Sequence, residues 1–200
     1  MTATVEPLTH EHPVVPEPFG AALAGLRALL DEPGRSGLSL QEVPAPKRLA
    51  PYAVAVAAEV VGEDGEQVAS GRFVALHDPQ GQDGWRGDTR VVAFVSADVE
   101  AEMAADPALA QVGWSWLTDA LLERGARHTA AGGTVTRTVS CRFGQLEDDD
   151  EASEVEVRAS WSPLTDDDGA LDLGVHLLAW CDLLAATAGL PPPGVLTLRR

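Results

Sequence analysis

The stretch Asp106–Phe143, DPALAQVGWSWLTDALLERGARHTAAGGTVTRTVSCRF, carries first a helical and then a strand periodicity, joined through glycines. Asp106-Pro107 has the form of a helix start: a side-chain acceptor for free amides, then a residue whose missing N–H costs nothing there. Gly113 is a point at which the helix could divide. Trp114, Leu117 and Leu121 fall at i, i+3 and i+7, while Asp119, Glu123 and Arg124 lie off that line, so one face is apolar and the other wet. Arg124-Gly125 closes the run. Past Gly132-Gly133, Val135, Val139, Cys141 and Phe143 alternate with Thr134, Thr136, Thr138, Ser140 and Arg142, with Arg137 the exception on the apolar side. A helix and a strand that each have one apolar side need a layer to cover it, which predicts helices packed on a sheet.

Working outward, the first 16 residues are proline-bearing with little to bury and read as a disordered tail; His10-Glu11-His12 within it is better explained by solvation than by metal binding. Residues 17–190 read as a single domain and 191–200 as a C-terminal extension or edge strand. Glu17-Pro18 begins a helix with Phe19, Leu23, Leu26 and Leu30 on one side. Leu38–Val43 alternates briefly, and Pro44, Pro46 and Pro51 hold an extended connector. Tyr52–Val61 is a covered strand, turned at Asp64-Gly65 into Val68–His77, whose Gly71 marks a bulge or a close approach. A loop over 78–88 around Trp85 leads to the strand Thr89–Ser96, and Ala97–Ala105 forms a short helix. After Phe143, the acidic tip Glu147–Glu151 turns the chain into the alternating strand Val155, Val157, Ala159, Trp161. Asp166-Asp167-Asp168 precedes a last helix with Leu173, Leu177, Trp180, Cys181 and Leu184 as its stripe, stopped by Gly189 and Pro191. The fold class is α+β, in the order α-β-β-β-α-β-β-α, with a twisted antiparallel sheet of about five strands under helices.

That order, with the acidity, resembles the small α+β fold of type III secretion chaperones and their bacterial relatives of the YbjN kind. The resemblance implies a sheet covered on one side by helices and dimers that bind partner polypeptide; it assigns no binding residue. By local sequence, Pro18-Phe19, Arg48-Leu49-Ala50-Pro51-Tyr52-Ala53-Val54, Gly71-Arg72-Phe73, His77-Asp78-Pro79, Gly113-Trp114-Ser115-Trp116-Leu117 and Gly132-Gly133-Thr134-Val135-Thr136 resemble an actinobacterial domain family of unknown function. That similarity covers about residues 18–190 and implies no activity, substrate or cofactor.

With 31 acidic against 14 basic residues, the formal charge is −17. Such a surface repels phosphates and anionic membranes, which argues against direct nucleic-acid binding and leaves an acidic nucleic-acid mimic as a rarer form of regulator. No apolar run approaches a membrane span, and the first residues lack a signal-peptide core, so a cytoplasmic protein is expected. Cys141 and Cys181 are expected to be reduced core thiols. The histidines are too scattered for a zinc site, and the acidic runs lack EF-hand spacing, so neither metal nor cofactor is expected.

Chemistry has few handles. His77-Asp78 could form a dyad, and His176 lies near Asp172 and Asp182, but no serine or cysteine is placed as a nucleophile. Gly81–Gly87 lacks the lysine of a phosphate loop. Trp85, beside Arg86 and Arg90 in a polar loop, is either a lid on the sheet or a recognition anchor. Trp114 and Trp116, about 200° apart on a helix, cannot both face the sheet, so one of them marks a second layer, a homodimer contact or a partner surface. The leading expectation is a non-enzymatic, chaperone-like protein-interaction module with Trp85, Arg86, Trp114 and Trp116 as contact residues. The rival is a small enzyme or binding protein for an anionic small molecule, with His77, Arg72, Arg137, Arg142 and Arg158 lining one pocket. The plainer role for those arginines is to neutralise acids on neighbouring strands.

Overall fold

The computed structural model describes residues 15–31, 37–62, 64–146 and 152–191. The acidic tip Glu147–Glu151, the His10–His12 tail and the C-terminal extension from residue 192 lie outside them. Along the chain run α1 (Phe19–Leu30), β1 (Leu38–Val43), β2 (Tyr52–Val61), β3 (Gln67–Gln82), β4 (Gly87–Asp98), α2 (Ala101–Ala105), α3 (Leu109–Glu123), β5 (His128–Ser140), β6 (Ala152–Pro163) and α4 (Leu173–Thr187). The strands form one antiparallel sheet ordered β1-β2-β3-β4-β6-β5. The class is that expected and the element order roughly so, with a sixth strand and a fourth helix, α2 being separate from α3. The extra strand is β1, whose alternation continues into full pairing with β2, Leu38 opposite Val60 through Val43 opposite Ala55.

Because side chains alternate across a sheet, one set of positions builds the main core. Val54, Val56, Ala58, Val60, Phe73, Ala75, Val91, Val95, Val155, Val157 and Trp161 all face the helices. Helix α4 is the centre of that layer: it packs on β3, β4, α1 and α3 and is buried nearly all round. That explains its apolar composition, which exceeds the single stripe read from the sequence. Its N-cap is Asp172, whose Oδ1 accepts from the amides of Gly174 at 2.9 Å and Val175 at 3.2 Å. The acidic run Asp166–Asp168 does not cap it; Asp166 Oδ1 instead ties its own turn through the amides of Asp168 and Ala170.

Other boundaries move for local reasons. Helix α3 runs unbroken through Gly113, which is buried because the helix approaches Val135 there; a Cβ would stand 3.2 Å from Val135 Cγ1. Strands β3 and β4 extend past His77 and Thr89, so the anticipated loop over 78–88 contracts to a turn in which Arg86 takes φ 56°. The helix expected over Ala97–Ala105 covers only its last turn, since β4 holds the chain to Asp98. Strand β5 starts before Gly132-Gly133, with an irregular register between Thr129 and Gly132. It ends at Ser140, so Cys141 and Phe143 are exposed and Cys141 is not the core thiol anticipated; Cys181 is buried, and neither is in a disulfide. The physical reason is position, because β5 is an edge strand that runs out beyond the helices.

Candidate interaction face

The opposite sheet face is covered at one end only. There Ala55, Val74 and Leu76 are buried under Ala45, Ala50 and Trp85 in a second small cluster, with the connector 44–51 lying over the sheet. The rest of this face is open among the described residues. Across it runs one row of paired residues: Gln41, Ala57, Arg72, Phe94, Arg158 and Thr134. Phe94 is half-buried, and Arg72 and Arg158 are exposed on either side of it. The Arg158 guanidinium carbon sits 5.6 Å from the Phe94 ring centre while its Nη2 pairs with Glu156 at 2.8 Å. An apolar ring between two guanidinium groups is suited to the aromatic or aliphatic side chain of a partner, with the cations orienting its polar groups. Val92, 41% exposed, extends the apolar ground toward Trp85.

Trp85 is half-buried against Val74 and Leu76, and its carbonyl accepts from the Ser162 hydroxyl. Arg86 beside it is exposed. Arg90 latches this end of the sheet: its guanidinium donates to the Ala130 carbonyl at 3.0 Å, Ser162 Oγ at 3.2 Å and Ser160 Oγ at 2.6 Å, and burial lowers its pKa. The left-handed Ala130, φ 51°, turns its carbonyl into that bond.

His77 lies on the helix-covered face, 2% exposed, with its ring stacked on Phe19 at 4.7 Å. Its Nδ1 is 2.9 Å from Thr89 Oγ1, and the Thr89 hydroxyl donates to Asp88 at 2.9 Å. Burial holds its pKa below the ordinary histidine value against weaker upward pulls from Asp88 and Asp78. Asp78 is not its partner; that carboxylate accepts from the Gln80 amide and the Gln82 side chain. Arg137 donates to the carbonyls of Ala104 at 3.0 Å and Asp106 at 2.5 Å, closing the C-terminal end of α2, as a cation there should. Arg142 follows β5 at the molecule's edge. The structure therefore brings Arg72 and Arg158 together around Phe94 and sets His77 and Arg137 on the other side of the sheet. The sequence pointed to the two arginines; it missed Phe94, which reads as core until the bare face is known.

Trp114 and Trp116 are both half-buried at the edge of the helix layer. Trp114 covers Gly133, where a Cβ would meet Trp114 Cζ3 at 2.9 Å and overlap the Arg158 carbonyl. His176, 2% exposed, accepts the Trp161 indole N–H on Nδ1 at 3.0 Å. A donor-only indole fixes the neutral ring, and burial pushes the pKa down to about 4, with His128 adding to the shift and Asp172 opposing it. Among the described residues no cluster of ligating side chains could hold a metal ion, and no helix is long and apolar enough to cross a membrane.

No curated protein and no solved structure matches the chain. Residues 15–196 match the family described as protein of unknown function (DUF3000), and the chain belongs to that family.

Proposed function

We propose that this protein is a non-enzymatic, cytoplasmic interaction module that binds a protein partner on the open half of its sheet. The observation that carries the reading is Phe94, flanked in register by Arg72 and Arg158 on a face that no helix covers among the described residues. Arg72 forms no ion pair among the described residues, in a protein where acids outnumber bases by more than two to one. An exposed cation beside a half-buried aromatic adds little to folding and offers a partner an apolar and a polar contact side by side. The charge of −17 favours a partner that is basic or amphipathic overall.

The test is affinity purification of the full chain from its native lysate at low and high salt, beside the double variant Arg72→Glu/Phe94→Ser. A stoichiometric polypeptide retained by the wild type and lost with the variant is expected. Retention of the same polypeptide by the variant, or of a small anion in place of any polypeptide, would overturn the reading.

A further inference from the structure

We propose that the outer edge of β5, unpaired among the described residues, pairs antiparallel with β5 of a second copy of this chain across a twofold axis. The inference is independent of the partner reading above. Sheet edges are ordinarily guarded by proline, by charge or by brevity. Strand β1, at the other edge, has six residues; β5 has 13, nine of them exposed and four half-buried. Over Gly132–Ser140 it contains no proline, and its one charged side chain, Arg137, is drawn down to the carbonyls of α2.

Charge selects the occupant. Two copies at −17 repel each other over most of their surfaces, but residues 124–146 contain no Asp or Glu, the longest such run in the chain. Four exposed apolar side chains lie in that run or on the helices that pack against β5: Val139 at 49% and Phe143 at 80% in the run, Met103 at 45% on α2 and Val112 at 42% on α3. The half-buried Trp114 lies over Gly133 of the same strand. A ladder over those nine residues is about 30 Å long, and the strand with α3 beside it is about 20 Å deep. That approaches the roughly 800 Å² per partner of a stable interface. An antiparallel strand can pair with itself around a twofold, the closed arrangement most dimers adopt. The two open faces then join into one continuous sheet surface.

Sedimentation equilibrium of the full chain gives the first test. The expected mass is twice the 21.0 kDa of the chain. Added salt should tighten the dimer by screening its like charges, and Thr136→Lys/Thr138→Lys should weaken it by about tenfold or more. Spin-label distances give the second. In a twofold antiparallel pair centred on the middle of that nine-residue ladder, moving the label from Cys141 to a cysteine at position 139, in a Cys141→Ser background, shortens the inter-copy distance by about 14 Å. A monomer at all concentrations, a dimer indifferent to the lysines, or a distance that does not shorten by that step would overturn the proposal.

Discussion

The indole of Trp180 rests on the Cα of Gly71. A Cβ at Gly71 would stand 2.7 Å from Trp180 Cζ2 and 2.9 Å from the Phe94 carbonyl oxygen, and that same oxygen accepts the Trp180 Nε1–H at 3.2 Å. The central helix is thus keyed to the strand that carries Phe94 on its other side. Gly71→Ala should cost about 1–3 kcal/mol through overpacking, read as a lower urea midpoint with an unchanged slope. An unchanged midpoint would mean that α4 can move away from β3.

Stability should depend on pH through His176. Its folded pKa, about 4, lies below the ordinary 6.5, so between those values the unfolded chain binds more protons than the folded one. The contribution is therefore complete above pH 6.5 and is lost as pH falls toward 4, in total about 3 kcal/mol. The lowered pKa of His77 acts in the same direction. Urea midpoints from pH 7 to pH 5 should fall, and His176→Gln should flatten that slope while lowering stability at pH 7. An equal slope in the variant would place the effect elsewhere.

Two ion pairs should differ in worth. Arg124 clamps α3 to α4 through a bidentate pair with Asp182, at 2.6 and 2.9 Å, with side chains 34% and 23% exposed. Arg27–Glu42 is also bidentate at 2.8 Å but more open to water, at 53% and 39%. Double-mutant cycles should give a coupling of about 1 kcal/mol for the first and roughly 0.3 kcal/mol for the second, the latter vanishing in salt.

The thiols should separate kinetically. Cys141 is exposed and should react at once with a thiol reagent under native conditions, whereas Cys181, under the core, should react only as the chain opens. Fast modification of two thiols per chain would contradict that placement.

The layers were legible because periodicity reports which side of an element is apolar: Phe19, Leu26, Leu117, Leu177 and Trp161 are all buried as their spacing requires. The close approach at Gly71 was legible because only glycine admits an indole there. What periodicity cannot report is whether a side is covered. Phe94 alternates like a core residue, yet the strand order leaves its face bare; Cys141 and Phe143 continue the pattern of β5 after the helices have ended. The insertion of β6 between β4 and β5 is a long-range pairing with no local signal, and it decides that β5 is an edge. His77-Asp78 was a neighbour pair in sequence, but strand alternation sends the two side chains to opposite faces.

The most direct measurement for the central claim is in-cell photo-crosslinking, with the photoreactive residue placed at Phe94 in one variant and in the other at Leu122, 79% exposed on α3 in the helix layer. The account predicts a discrete polypeptide adduct from position 94, absent from position 122 and competed away by wild-type protein. Adducts of equal yield from both positions, or from neither, would contradict it.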